Sequence, residues 1–195
     1  MIKIEITLPK IESKIYLLIK DVTFVLCFAL LTGILAKVKI EIGPVPITMQ
    51  TLAVLLSGVF LGSKKGALSQ ITYLFIGLAG IPWFSRGGGM AYIFSPTFGY
   101  ISGFILAAFL VGWLFERGWG ENLKTSILAM VFGNLILYLP GLLWLAKFFG
   151  FNKVLAIGFY PFLIGDSLKI FLASLIFSVW WKIIKVAKKF KYYER

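Results

Sequence analysis

Long apolar runs separated by short polar turns make up almost the whole of this chain. The runs are roughly 15–22 residues long and nearly free of charge, and about 20 apolar residues are needed for a helix to cross a bilayer. The pattern predicts an all-α polytopic membrane protein with six transmembrane helices. We expect the spans at about residues 22–38, 48–61, 67–81, 97–115, 125–149 and 160–186, which leaves a single membrane domain over residues 1–195.

The segments between the predicted spans are of two kinds. Those after spans 1, 3 and 5 are long and rich in glycine, proline and aromatic residues, whereas the others are short. Residues 39–47 (KIEIGPVPI) carry two prolines and are predicted to be extended. Pro140-Gly141 is expected to bend or break the fifth span. Residues 62–66 are predicted to form a basic turn, and residues 152–159 a short interfacial helix.

The basic residues are distributed unequally between the two sides of such a six-span protein. The side that holds both termini carries 14 Lys and Arg residues, against 5 on the other side. Because an excess of Lys and Arg marks the cytoplasmic side, both termini are predicted to be cytoplasmic. The net charge of +12 therefore comes mainly from residues that flank the spans. No glycine-punctuated basic aromatic platform indicates a nucleic-acid partner.

Composition argues against catalytic and metal chemistry. The chain is 59% hydrophobic and 14% charged, and it contains no histidine and one cysteine, Cys27. Zinc sites lack their usual ligands in such a chain, and acid–base catalysis lacks its commonest carrier. A membrane enzyme is disfavoured further because Asp166 is the one carboxylate within a predicted span. We expect neither an enzyme nor a metal site.

Asp166 and Lys169 lie inside the otherwise apolar run 160–181. A charge at membrane depth costs roughly 2.5–3.5 kcal/mol on insertion scales, so such residues usually pair and face an interior cavity. Three positions along a helix bring both side chains to one face. The pair is predicted to bind a polar ligand in an outward-facing cavity beneath the irregular loops. The alternative is an internal salt bridge that fixes helix packing.

Two further pairs of polar residues are candidates for the same cavity. Asn134 and Tyr138, four apart in the fifth span, can donate hydrogen bonds to a ligand, or else join two helices. Thr48 and Gln50 open the second span, where the free N–H groups of a helix N-terminus suit an anionic ligand group. The alternative there is that Thr48 or a neighbour simply caps the helix.

The loop after the third span supplies the remaining ligand-binding candidates. Arg86 precedes Gly87–Gly89 and is a candidate for a carboxylate group, with the glycines allowing close backbone approach. A flexible loop is the other explanation of the glycines. Apolar walls are expected from Phe84, Tyr92 and Tyr160, although an interfacial aromatic belt would also account for them.

Small residues recur at four-residue spacing on three predicted helices. They are Ala29 and Gly33 on the first span, Gly58 and Gly62 on the second, and Gly99, Gly103 and Ala107 on the fourth. Such stripes allow helices to approach closely. Internal packing is their ordinary role, and one stripe can instead dock a partner subunit.

A series of motifs covers nearly the whole chain. They are Gly43-Pro-Val-Pro-Ile-Thr-Met-Gln50, Gly62 and Gly66, Tyr73, Gly77-Leu-Ala-Gly-Ile-Pro82, Ser95-Pro-Thr97, Gly99-Tyr100, Gly103-Phe104 and Gly165-Asp-x-x-Lys169. In this order and spacing the chain resembles the BioY family. Its members are the biotin-specific substrate-binding (S) subunits of energy-coupling factor (ECF) vitamin transporters.

The resemblance implies a six-helix S-component fold that captures biotin on the outer side of a prokaryotic cell membrane. Biotin would be the transported ligand, with no cofactor, and Asp166 and Lys169 would contact it. The implied partners are a transmembrane T subunit and two cytoplasmic ATPase subunits. S components dock the T subunit through a small-residue stripe on the first helix, which here is Ala29-x-x-x-Gly33 in place of the family's Ala-x-x-x-Ala.

An autonomous secondary transporter for a small amphiphilic nutrient is the alternative function. Such carriers are often built from inverted repeats with paired broken helices, together with a titratable relay. The chain has one intramembrane acidic residue and no detectable repeat. It also has no Gly-x-x-x-x-Gly-Lys-Ser/Thr phosphate loop, so a capture subunit whose ATP is hydrolysed by a partner is favoured.

Overall fold

The computed structural model describes residues 10–193, with side chains for residues 14–183. Its helices are α1 (Lys10–Leu35), α2 (Gln50–Leu78), α3 (Phe98–Glu116), α4 (Leu123–Phe149), α5 (Phe151–Gly158) and α6 (Leu163–Tyr193). A β hairpin pairs β1 (Lys39–Ile40) with β2 (Ile47–Thr48). Short 3-10 helices occupy Met90–Phe94, Trp119–Glu121 and Tyr160–Phe162. The protein is therefore mostly helical, as the apolar pattern predicts.

Five helical stretches are long and apolar enough to cross a membrane among the residues described. They are Lys14–Leu35, Gln50–Leu78, Phe98–Glu116, Leu123–Phe149 and Phe151–Ile183. Large apolar side chains such as Leu30, Leu139 and Leu168 stay exposed on their outer faces. Extensive exposed apolar surface of this kind marks contact with a membrane or a partner.

Helix α2 folds back on itself at Gly62. This glycine has φ 79° and ψ −178°, a conformation that a residue with a side chain rarely adopts. Gln50 donates from Nε2 to the Tyr73 hydroxyl at 2.6 Å, although a straight helix would separate the two residues by roughly 35 Å. Residues 50–61 and 63–78 are thus two antiparallel arms, and the chain reverses within the predicted turn at 62–66.

The arms of α2 and helix α3 approach closely because glycines line the contact. A Cβ atom on Gly58 would lie 2.5 Å from the Ala108 carbonyl oxygen, and one on Gly112 would clash with the backbone of Gly62. The Glu116 carboxylate at the end of α3 accepts from the Ser63 backbone N–H at 2.7 Å, which satisfies a free donor at the start of the second arm. The predicted small residues Gly58 and Gly62, together with Gly112, which was not among the predicted positions, therefore serve internal packing.

Helix α4 continues through Pro140, so of the bend or break expected at Pro140-Gly141 the break is wrong. Proline removes one helix hydrogen bond and normally kinks the chain. Here Gly99 and Gly103 of α3 face it: a Cβ on Gly99 would lie 2.5 Å from the Pro140 carbonyl oxygen, and one on Gly103 would lie 3.0 Å from its Cγ. Tight packing against α3 holds the helix in one piece.

Between α4 and α6 the chain forms a short helix, α5, and a sharp corner that leads into α6. Helix α5 coincides to within one residue at each end with the segment 152–159, predicted as a short interfacial helix. It ends before Phe159, whose φ of −129° and ψ of −63° break the helical path. The Tyr100 hydroxyl of α3 donates to the Gly158 carbonyl at 2.9 Å and fixes this corner. Helix α6 then begins at Leu163 and brings Asp166 into its first turn.

Candidate functional site

A cavity lies beneath the β hairpin, among the first turns of α2, α3 and α6 and the middle of α4. Its free space is about 50 Å³, enough for a few water molecules. Polar and apolar groups share its wall: Val45, Pro46, Thr48, Gln50, Thr51, Ser85, Tyr92, Thr97, Tyr100, Ile101, Phe104, Leu137, Tyr138, Phe162, Asp166 and Lys169.

Asp166 is the centre of a buried hydrogen-bond network. Lys169 donates from Nζ to its Oδ1 atom at 2.9 Å, while Asn134 donates from Nδ2 to its Oδ2 atom at 2.8 Å. The Tyr138 hydroxyl also donates to Oδ2. A carboxylate in the first turn of a helix is favoured by the positive end of the helix dipole. The predicted partners Asn134, Tyr138 and Lys169 are thus brought to Asp166.

The network retains unused hydrogen-bonding capacity. Lys169 has three N–H donors and uses two, on Asp166 and on the Thr51 Oγ1 atom at 3.1 Å. The Asp166 Oδ1 atom accepts from Lys169 alone among the described residues. Asn134 is turned so that its Nδ2 faces the carboxylate, and its Oδ1 atom is left without a partner. Among the residues that line it, the cavity therefore offers one spare donor, on Lys169, beside one spare acceptor, on Asp166.

Thr48 and Gln50 both line the cavity, as predicted, yet they are held by internal bonds. The Thr48 hydroxyl donates to Gln50 Oε1 at 3.0 Å and accepts from the Gln50 backbone N–H at 3.3 Å. Gln50 Nε2 is committed to Tyr73. Of the predicted aromatic walls, Tyr92 also lines the cavity.

Four predicted ligand-binding residues do not line the cavity. Asn134 is one of them, although it donates to Asp166; the other three are Arg86, Phe84 and Tyr160. Arg86 donates to both the Glu41 carboxylate, from Nε at 3.1 Å, and the carbonyl oxygens of Gly43 and Pro44. Phe84 is fully buried behind the wall, edge-to-face with Tyr73 at 5.3 Å. Tyr160 is 58% exposed on the outside. Sequence order places all three near the cavity, and packing turns them away.

The Arg86–Glu41 contact belongs to an ionic clasp between the β hairpin and the loop after α2. Lys39 donates to Glu41 at 2.6 Å and to the Ser85 carbonyl at 2.7 Å, and Lys37 donates to the Phe84 carbonyl at 2.8 Å. Hydrogen bonds from Arg86 and then Lys39 lower the pKa of Glu41 to about 2. The clasp holds Val45 and Pro46 over the cavity.

The predicted docking residues Ala29 and Gly33 lie inside the fold. Ala29 is 1% exposed, and a Cβ on Gly33 would lie 3.0 Å from the Trp83 ring. Beside them Thr32 is buried against Gln70, with its hydroxyl 3.4 Å from Oε1. These two small residues therefore allow α1 to pack on α2 and leave no exposed surface of their own.

Sequence reasoning missed several polar residues of the wall. Thr51, Ser85 and Thr97 line the cavity, and none of them carries a charge or a distinctive spacing. Thr97 belongs to the motif Ser95-Pro-Thr97, and Thr51 and Ser85 stand next to the candidate residues Gln50 and Arg86, so these positions were the available signal. Tyr100 and Phe104 stand in the motifs Gly99-Tyr100 and Gly103-Phe104 but were not assigned to the site, and Ile101 was hidden among the many apolar residues of α3.

Comparison with known proteins adds a consistent family relationship. A family model described as BioY family matches residues 7–186 of the chain. A protein of Pyrococcus horikoshii named probable biotin transporter BioY is 42% identical over 158 residues, which cover 80% of this chain and 93% of that protein. The biotin transporter BioY of Thermotoga maritima is 37% identical over 151 residues, covering 76% and 88% of the two chains.

A solved structure shares the fold. The crystal structure of an S-component for biotin from an ECF-type ABC transporter superposes with a TM-score of 0.74 at 26% sequence identity. The match covers 84% of this chain and 92% of that chain. The helical architecture described above is therefore that of an S-component.

Proposed function

The chain belongs to the BioY family, and on this premise we propose that it takes up biotin as the substrate-specific S subunit of an ECF transporter. It is a multi-pass protein of a prokaryotic membrane and acts as a transporter subunit, not as an enzyme. Biotin is its transported ligand and occupies the cavity beneath the β hairpin.

The observation that carries this proposal is the spare donor and acceptor of the buried pair. The ureido ring of biotin presents an N–H next to a carbonyl oxygen. Asp166 Oδ1 has room to accept the N–H, and the third N–H of Lys169 has room to donate to the carbonyl. Both residues are buried, and the low dielectric constant of buried surroundings strengthens each bond. Binding then satisfies groups that the empty cavity leaves unpaired.

The remaining walls suit the apolar part of biotin. Tyr100, Phe104, Leu137 and Phe162 line the cavity and can pack on the thioether ring. Pockets that hold small molecules usually measure about 300–1,000 Å³, so the cavity must widen when biotin enters. The β hairpin is the element that we expect to move, because exposed salt bridges of Glu41 with Lys39 and Arg86 hold it on one side.

The proposed topology has six membrane crossings with both termini in the cytoplasm. The two antiparallel arms of α2 count as separate crossings, and α5 with α6 forms the last one. This arrangement supports the expected positive-inside orientation. It places the cavity and the clasp at the outer surface, where the ligand arrives. Residues 1–195 form one membrane domain in this proposal.

The proposed partners are a transmembrane T subunit and two cytoplasmic ATPase subunits. The chain carries no phosphate-binding loop of its own, so ATP hydrolysis has to come from them. We retain α1 as the docking helix. Because Ala29 and Gly33 face inward, the surface presented to the T subunit is the exposed ridge of Leu26, Leu30 and Ile34. The two small residues behind this ridge determine how closely α1 packs against the rest of the protein.

Titration of the purified protein with biotin tests the proposal. Wild type should bind biotin tightly, and Asp166→Asn should lose at least tenfold in affinity, because a hydrogen bond to a charged group is worth about 1.5–3 kcal/mol. Asp21→Asn is the matched control, since Asp21 pairs with Lys65 in the exposed part of α1. Full affinity of Asp166→Asn would refute the role of Asp166.

Uptake separates the two transport mechanisms. Proteoliposomes that contain this chain alone should not accumulate biotin, whereas addition of the T subunit, the ATPases and internal ATP should start uptake. Concentrative uptake by the chain alone would instead support an autonomous secondary transporter.

A further inference from the structure

A lateral groove, bounded by the β hairpin and helix α6, lies on the outside of the molecule. Its volume is about 500 Å³, within the range of about 300–1,000 Å³ that is usual for pockets that hold small molecules. Thr48 and Lys169 border both this groove and the ligand cavity, so the two spaces share a wall. Apolar side chains form most of the lining: Ile40, Ile47, Met49, Leu168, Phe171 and Leu172.

The lateral groove faces hydrocarbon and not water. Leu168 and Phe171 are each more than half exposed, and such apolar surface on a multi-pass membrane protein contacts lipid. An ordered water needs two to four polar partners, and the Lys169 amine is turned away from the groove to Asp166 and Thr51. An unfilled groove would leave its walls without packing contacts on one side. A hydrocarbon chain is the filling that this lining suits.

The hairpin side of the lateral groove carries positive charge. Lys39 lines the groove and uses two of its three N–H donors, on the Glu41 carboxylate and the Ser85 carbonyl. The third N–H has no partner among the described residues. Lys37 and Arg86 hold the same loop, where Glu41 is the single acid, and the described residues that line the groove include no acid. An anionic group is therefore complementary to this side of the groove.

We propose that the lateral groove is the binding site for one phospholipid with an anionic head group. The phosphate accepts the spare N–H of Lys39, and one acyl chain runs along α6. Ile47 of the hairpin lies beside Gly165, and the groove continues to Leu172, roughly 10 Å further along the helix. In the proposed topology this direction leads from the outer surface into the bilayer, as the chain of an outer-leaflet lipid does. The site rests on that topology and on no property of biotin binding.

Gly165 provides a matched pair of substitutions to test the chain position. A Cβ there meets Ile47 at 3.5 Å and Lys169 at 4.0 Å, so alanine fits, whereas the longer side chain of leucine has to enter the groove. Native mass spectrometry of the detergent-purified protein, titrated with phosphatidylglycerol, should show one lipid bound to wild type more tightly than any further lipid. Gly165→Leu should weaken this first site by about tenfold or more, because several CH₂ groups of the chain lose their contacts. Gly165→Ala should bind as wild type does.

Lys39→Gln tests the head-group contact and remains informative if Gly165→Leu fails to fold. Wild type should prefer phosphatidylglycerol to phosphatidylcholine by about fivefold, the effect of one Lys beside an anionic lipid. Lys39→Gln should lose this preference. Lys14→Gln, an exposed lysine near the other end of α1, removes the same charge and should keep it. Thermal unfolding checks that each variant is folded, and no readout depends on biotin.

The other outcomes each overturn the lipid site. Equal binding of phosphatidylglycerol by Gly165→Leu and wild type would show that no acyl chain lies in the lateral groove. An unchanged head-group preference in Lys39→Gln would place the phosphate elsewhere. If wild type is dimeric by mass and Gly165→Leu is monomeric, a second copy of the chain covers the groove. If Gly165→Leu keeps the lipid and loses assembly with the T subunit, the T subunit covers it.

Discussion

At the residue scale, the buried charges of α6 combine structural and binding roles. Asp166 accepts from three side chains on α4 and α6, so it ties these helices together before any ligand arrives. A buried ion pair is a poor source of net stability, yet removing one partner leaves an uncompensated charge. Stability and binding should therefore respond differently to single and double substitutions.

We predict that Lys169→Met destabilises the protein by roughly 3–5 kcal/mol, the usual cost of leaving one buried charge unpaired. The double variant Asp166→Leu/Lys169→Met should regain much of this loss, since no charge remains. Thermal unfolding in detergent measures both values, and biotin titration should find neither variant binding. A double variant less stable than the single one would contradict this account.

At the scale of elements, glycines decide how closely α2 and α3 approach. Gly112 packs directly on the Gly62–Ser63 backbone at the turn of α2. Even one methyl group there has to displace backbone, which cannot relax as a side chain can. Gly165 in α6 is different, because a Cβ there would meet Ile47 at 3.5 Å, an ordinary contact.

Gly112→Ala is therefore expected to destabilise the protein by about 1–3 kcal/mol through overpacking. Gly165→Ala is the matched control and should be neutral or gain about 0.5–1 kcal/mol, because alanine is the better helix former. Thermal unfolding compares the two directly. Equal destabilisation would mean that the close contact at Gly112 carries no special weight.

The β hairpin depends on the ionic clasp at Glu41. The folded-state pKa of about 2 lies below the ordinary value of 4.5. The contribution of the clasp is therefore fully present above about pH 4.5 and is lost as the pH falls toward 2. Because the pairs are exposed, added salt should weaken them as well.

Glu41→Gln should accelerate biotin dissociation by a few-fold at neutral pH and low salt, a modest effect because exposed ion pairs contribute little. The wild-type dissociation rate should be flat between pH 7 and pH 5. Stopped-flow exchange of bound biotin measures both. Glu121→Gln, an exposed acid in the 3-10 helix Trp119–Glu121, is the control and should leave the dissociation rate unchanged. An unaltered rate in Glu41→Gln would show that the clasp does not slow biotin dissociation.

At the scale of the whole molecule, the fold-back of α2 decides the topology. With α2 as two crossings both termini share one side, and with α2 as one crossing they would be opposite. Lys124 lies in the first turn of α4, and Lys153 lies in α5, beyond the other end of α4. These two lysines should therefore lie on opposite sides of the membrane in either case, while the relation of α1 to them differs.

Cysteine labelling distinguishes the two topologies in a Cys27→Ala background. A membrane-impermeant maleimide added to intact cells should label Lys153→Cys, and it should label Lys20→Cys and Lys124→Cys after permeabilisation alone. Labelling of Lys20→Cys in intact cells, with Lys153→Cys also labelled, would contradict six crossings and cytoplasmic termini.

How much of this could be predicted from the sequence depends on the range of the forces involved. Helix positions follow from local apolar pattern, and α3 and α4 begin and end within about two residues of the predicted spans, the usual accuracy of a boundary. The break predicted at Pro140 was wrong because the helix accommodates this proline by packing against glycines of another helix, α3. Arg86 was predicted to contact the ligand because its actual partner, Glu41, lies far away in sequence, and no local pattern pairs the two residues.

The sequence by itself determined the membrane class, the reversal near Gly62 and the importance of Asp166 and Lys169, because hydropathy and the cost of a charge in lipid are properties of single segments. The tertiary structure alone decided which groups meet. It placed Asn134 and Tyr138 on one carboxylate oxygen, turned Arg86 outward, and brought Thr51, Ser85 and Thr97 to the cavity wall. Such contacts arise from helix packing between distant segments, which no periodicity along the chain records.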